Sequence, residues 1–172
     1  AAVSKEFSRL RNGITALLSD TGTFAITCGV EWFASEKIDV HHLTSLKWGN
    51  PDNQVEYIKK LNNILKSHPT FLNAFTLVRM HTSHCNSIAY LRHSQDITDK
   101  LAVIATLTPD QNEIFIQKEL FREFLHSNQD LLSGEDVPVE ELSGEFRIHL
   151  RPDQIAAVGN NPDYFYRVND RR

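Results

Sequence analysis

Cysteine is scarce in this sequence. Cys28 and Cys85 are the two among 172 residues. That excludes a disulfide-built scaffold, and the apolar or small residues around each predict two buried free thiols, as in a cytoplasmic protein. Long apolar runs are missing too: none approaches the roughly 18–20 residues of a membrane span. No block of like charge occurs and the net charge is −4, which argues against a nucleic-acid surface. There is no internal repeat or low-complexity stretch, no glycine-rich phosphate loop and no Gly-x-Ser-x-Gly nucleophile elbow. The opening residues, AAVSKEFSRL, are amphipathic and charged rather than patterned as a signal peptide. The chain starts at Ala1 without an initiator methionine, so the expectation is a processed chain or a fragment.

What is present is a core-forming composition. The chain is 41% hydrophobic, outside the disordered class. Its length suits one ordinary domain, or a small domain with an appendage. The most apolar run is KLAVIATLTP at 100–109, rich in β-branched residues and closed by Pro109 and Asp110. Such a run predicts a strand buried on both faces, the centre of a β domain.

The first half reads as helix, strand, loop, helix. Val3, Phe7, Leu10, Ile14 and Leu17 mark one helical face over 1–18, and Gly13 costs that helix up to about 1 kcal/mol. Ser19-Asp20-Thr21-Gly22 stops it. TFAITCGV at 23–30 predicts a buried strand. A nonperiodic polar and aromatic loop fills 31–49, where α/β proteins usually carry their sites. Asn50 as N-cap and Pro51 at the first position predict a second helix. Val55, Ile58, Leu61 and Leu65 line it, and His68-Pro69 ends it.

From Phe71 the texture changes to short strand-like runs at 71–80, 87–93, 100–107, 113–117, 130–132, 146–150 and 154–158, each separated by turn residues. Phe146-Arg147-Ile148-His149-Leu150 alternates with period two. Seven such runs predict an antiparallel sandwich or Greek key. Residues 118–125 suggest one or two helical turns, and the tail from Asn160 shows no period.

Several local motifs stand in a distinctive order: GVEW at 29–32, LNNILKSHPTF at 61–71, KLAVIATLTP at 100–109, and DLLSGE at 130–135 with IHLRPDQIAAV at 148–158. In this order they resemble the C-terminal end of the α-amylase superfamily, glycoside hydrolase family 13. The resemblance implies an α+β chain. Residues 1–70 would be the last helix–strand–helix unit of a (β/α)8 barrel, helix seven, strand eight and helix eight. Residues 71–172 would be the antiparallel Greek-key sandwich called domain C. Among members of the family, the α-1,4-glucan maltosyltransferases are similar in carrying Ser-Glu-Lys-Tyr after strand eight. Here Ser35-Glu36-Lys37 is followed by Ile38, a departure at the tyrosine.

The family's nucleophile Asp, acid/base Glu and stabilising Asp follow earlier barrel strands, so the resemblance places all three before residue 1 and implies no catalytic residue here. Glycoside cleavage needs two carboxylates flanking the bond, so this chain alone is expected to be inactive. It would brace the barrel of a parent protein that hydrolyses or transfers α-1,4-glucosyl units, with no cofactor and no metal. Its partners would be an α-glucan or maltooligosaccharide through that parent, and either a second copy or the missing barrel portion. Glu31, Trp32 and Lys37 are the candidate substrate contacts. Each has a plainer alternative: a capping carboxylate, a ring packing the loop, and a solvated lysine. Trp32 and Trp48 offer flat faces for a pyranose.

Two other readings stay open. A noncatalytic carbohydrate-binding module would place Tyr90, Phe115, Phe146 and Tyr164 in an exposed row, although alternation buries Phe115 and Phe146. A protein-interaction domain would expose an apolar patch on 1–30. His81, His84 and Cys85 have the one metal-like spacing, but structural zinc wants four ligands.

Overall fold

The computed structural model describes residues 4–36, 41–42, 46–72, 74–83, 86–108, 110–152 and 154–169. The fold is α+β, with two antiparallel sheets and five α-helices among the described residues. Helix α1 spans Lys5–Leu17 and starts at Ser4, whose Oγ accepts the Phe7 N–H at 3.0 Å. Leu10, Ala16 and Leu17 form its buried stripe. Gly13 has a packing reason to be glycine. A Cβ there would lie 2.5 Å from the Tyr57 hydroxyl and 2.7 Å from Ile155 Cγ2.

Residues 23–30 do not form the expected strand. They run without a ladder partner, with Phe24 and Ile26 half-buried and Thr23, Ala25 and Thr27 exposed. Strand pairing is a nonlocal requirement that an apolar run cannot supply for itself. Gly29, at φ 96°, then turns the chain into a 3-10 turn over Val30–Trp32. Cys28, in the turn just before it, is an exposed free thiol rather than a buried one. Cys85 lies outside the described residues.

Helix α2 spans Val55–Ser67, starting later than Asn50-Pro51 suggested. Asn50 Oδ1 accepts the Asp52 N–H at 3.1 Å, and Asn53 Oδ1 accepts the Val55 N–H at 3.0 Å. These two side-chain turns compete with helical bonds and delay the first turn. Ile58, Leu61, Ile64 and Leu65 are its buried face. His68 takes an extended ψ of 127° before Pro69, and a short helix α3 follows at Pro69–Leu72.

The remaining chain builds the two sheets. One has the order β1-β2-β3-β7, from Phe75–Arg79, Ser87–Ser94, Lys100–Thr106 and Ile155–Gly159. The other has the order β4-β6-β5, from Glu113–Gln117, Glu145–His149 and Val139–Glu141. Strand β3 is central, as its composition predicted, pairing Tyr90↔Val103 on one side and Val103↔Ala157 on the other. Its Leu101, Val103 and Ala105 join a core with α1, α2, Ile155 and Ala157. Ala102 and Ile104 join a second core with Ile114, Ile116, Phe146, Ile148, Ala156 and Val158. The result is three layers: helices, four-stranded sheet, three-stranded sheet.

Two strand assignments change. Residues 130–132 make one bridge, Asp130↔Val158, and then turn. The Asp130 carboxylate takes the backbone N–H groups of Leu132 and Ser133, at 3.1 and 3.0 Å, in place of a ladder. Val139–Glu141 is instead the seventh strand, an acidic edge strand that buries little and so carries no apolar signature. Helix α4 at Lys118–Phe121 continues as a 3-10 segment, Arg122–Ser127, which matches the expected helical turns. The tail holds helix α5, Asp163–Asn169. Among the described residues no helix is long and apolar enough to cross a membrane.

The crowding at Gly13 decides between two opposed effects. Alanine in a helix interior is worth about 1 kcal/mol over glycine, whereas overpacking a core contact costs roughly 1–3 kcal/mol. Gly13→Ala is therefore expected to lower the urea midpoint followed by circular dichroism. A higher midpoint would show that α1 can lift off α2 and β7 freely.

Candidate functional site

The loop after residues 23–30 is held from several directions. The Glu31 carboxylate accepts the Gly29 N–H at 2.9 Å, and its backbone carbonyl accepts the Gln54 N–H at 2.9 Å. Glu31 thus caps its own turn. Gln54 is only 2% exposed. Its Nε2 donates to the Val30 carbonyl at 2.8 Å and to Ser8 Oγ at 3.1 Å, and its Oε1 accepts from Asn12 Nδ2 at 3.1 Å. One amide therefore ties α1, the loop and the start of α2 together. A lone glutamine gives no sequence signal for such a role.

Trp32 and Trp48 do come together, with ring centroids 6.5 Å apart and planes tilted by 36°. Asn50 Nδ2 fixes the Trp32 carbonyl at 3.2 Å. Trp48 is 62% exposed, the outer face of the pair. Among the described residues, Trp32 Nε1 and Glu36 Oε2 are buried without hydrogen-bond partners. Lys37 and Ile38 lie outside the described residues.

The alternative sites fare differently. Phe146 and Tyr164 are buried and Tyr90 is half-buried, so the proposed aromatic row is broken. Phe115 faces outward, half-buried, because Ile114 and Ile116 take the inward positions; the Arg147 guanidinium lies 5.5 Å over its ring. No large exposed hydrophobic falls in 1–30 among the described residues, because α1 buries its stripe on α2 and the sheet. His81 is exposed, while His84 and Cys85 lie outside the described residues. Among the described residues no group of three or more His, Cys, Asp or Glu is placed to hold a metal.

Two buried polar residues escaped the sequence reading. Arg92 is 0% exposed. Its guanidinium lies between the Phe71 ring at 4.0 Å and the Phe75 ring at 3.5 Å. Nε donates to the Thr70 carbonyl at 2.9 Å and Nη1 to the Ser19 carbonyl at 2.7 Å. Burial pushes its pKa down to about 10, against the opposing pull of Asp20, so it stays charged at neutral pH. His68 is buried beside it, its ring 4.3 Å from Tyr164 and its Nδ1 2.9 Å from Thr70 Oγ1. Tyr164 in turn donates its hydroxyl to Asp99. Burial holds the His68 pKa down at about 3, with Asp99 opposing.

A cleft of about 800 Å³ opens where α1, the start of α2, the turn at 130–133 and the chain at Arg151 and Ile155 meet. Asp130 sits at its base. Its carboxylate accepts from Leu132, Ser133 and Ala157 N–H groups and from Ser133 Oγ at 2.7 Å. With four donors engaged it is a structural anchor. Burial raises its pKa.

No family model matches the chain, and no curated protein matches it.

His68 makes stability depend on pH. Its folded pKa, about 3, lies below the ordinary 6.5. Between those values the unfolded chain binds more protons, so stability is full above about pH 6.5 and falls as the pH drops. The slope from this one residue is at most about 1.4 kcal/mol per pH unit. Asp130, with a raised pKa, works in the opposite direction. Thermal melts of the protein and of His68→Gln from pH 7 to pH 4 separate the two. The variant is expected to lose less stability over that range; parallel curves would mean that His68 does not titrate on unfolding.

Proposed function

We propose that this chain is the C-terminal part of an α-glucan-acting protein of the α-amylase superfamily, similar to the α-1,4-glucan maltosyltransferases. Helix α1, residues 23–30 and helix α2 would stand as the last unit of its (β/α)8 barrel, and the two-sheet sandwich as domain C. The parent would hydrolyse or transfer α-1,4-glucosyl units with carboxylates from earlier strands. This chain would brace that barrel and would be inactive by itself.

Three features support the reading. An antiparallel two-sheet domain follows a helix, an extended segment and a helix, in the order the family uses. Residues 23–27 alternate exposed and half-buried side chains without a ladder partner, as a strand would without its neighbours. The observation that carries the sugar contact is the Trp32–Trp48 pair, which holds an exposed indole face on the loop that would lie at the barrel mouth. Such a face suits the apolar side of a pyranose. Glu31 supports the loop rather than the sugar in this reading, since its carboxylate is engaged by Gly29.

The test is a tryptophan-fluorescence titration with maltoheptaose. A saturable change is expected, abolished by Trp48→Ala and unaltered by Tyr166→Ala at an exposed position of α5. No change, or a change that survives Trp48→Ala, removes this loop as a glucan contact.

A further inference from the structure

The cleft between the helices and the sandwich holds two cations that no carboxylate neutralises among the described residues. Arg9 on α1 and Lys60 on α2 both line it, and both are half-buried. Each is positioned by neutral groups. Arg9 Nη2 donates to the Asn53 carbonyl at 3.3 Å and its guanidinium lies 5.3 Å over the Phe33 ring. Lys60 Nζ donates to the Leu132 carbonyl at 2.7 Å. Neither forms an ion pair with a carboxylate among the described residues.

The nearby carboxylates are otherwise placed. Asp130 is saturated by four donors. Glu56 pairs with Lys59 at 3.4 Å on the surface, and Glu6 stands exposed at the rim. Arg151, which also lines the cleft, makes one ion pair among the described residues, a loose and exposed contact to Glu135 at 3.4 Å. The wall adds a further unmet group: the Tyr57 hydroxyl is buried with no hydrogen-bond partner among the described residues. A half-buried cation loses part of its hydration and recovers it best from an anion. About 800 Å³ is room for a small molecule rather than a single ion.

We infer that this cleft binds a small anionic molecule, its phosphate or carboxylate group received jointly by Arg9 and Lys60. The inference is independent of the glucan proposal, because the two Trp residues are not part of the cleft wall. Calorimetric titrations with inorganic phosphate and with malonate, at ionic strength matched by chloride, test it. Saturable binding of at least one probe is expected. Arg9→Gln and Lys60→Gln should each weaken it at least about tenfold, while Lys47→Gln, an exposed cation elsewhere, should not. Circular dichroism checks that each variant is folded; should Lys60→Gln unfold through loss of its Leu132 contact, Arg9→Gln decides alone. Tighter phosphate binding assigns a phosphate ester, and tighter malonate binding a carboxylate. No saturable heat with either probe, or binding unaltered in the folded variants, overturns the site.

Discussion

The structure depends on one buried cation. Arg92 starts on strand β2, passes between the Phe71 and Phe75 rings, and ends on the carbonyls of Thr70 and Ser19. Removing a charge from water costs several kcal/mol unless hydrogen bonds and polarisable neighbours offset it. Here the offset comes from separate parts of the chain: the turn after α1, the short helix α3 and strand β1. Each partner is needed, because Nη2 already finds no hydrogen-bond partner among the described residues, and losing another contact leaves the buried guanidinium still further undersupplied. The buried charge therefore fixes how the helical layer meets the four-stranded sheet, which apolar packing alone leaves free to slide.

Two further polar groups repeat that logic elsewhere. Gln54 joins α1, the loop after Gly29 and the start of α2. Asp130 joins its own turn to β7 through Ala157 N–H at 2.9 Å. Between these ties lies the apolar body of Leu10, Leu17, Leu61, Val103 and Ile155. Hydrophobic burial supplies most of the driving force, and the satisfied polar groups select one arrangement of it.

Local physics made part of this fold legible. Strand β3 announced itself because a strand covered on both faces must be apolar at every position. Helix α1 announced itself through one buried stripe. Residues 23–30 misled because they have a strand's composition while pairing depends on distant chain. Asp130 misled because its side chain captured the backbone that the ladder would have used. Strand β5 was hidden by its acidic edge position, and α5 because only Tyr164 and Val168 are buried in it, too few for a period. At the site, the Trp32–Trp48 loop was visible as a crowd of aromatics. Gln54, Arg92 and His68 were not, because a polar residue's burial is decided by partners far away in sequence. That Arg9 and Lys60 line one cleft, with no carboxylate partner among the described residues, emerged only once α1 and α2 were placed side by side.

The Trp32–Trp48 pair has one more consequence. These are the only two tryptophans in the chain, and they share a single loop, 6.5 Å apart. The intrinsic indole emission therefore reports on that loop and not on the sandwich. The core is seen instead by backbone dichroism and by tyrosines packed into it, such as Tyr164 on α5. Optical unfolding curves from the two kinds of signal thus watch different regions of one molecule. Their coincidence would establish that loop and core melt as one unit, and their separation would make the loop a locally opening element on a stable frame.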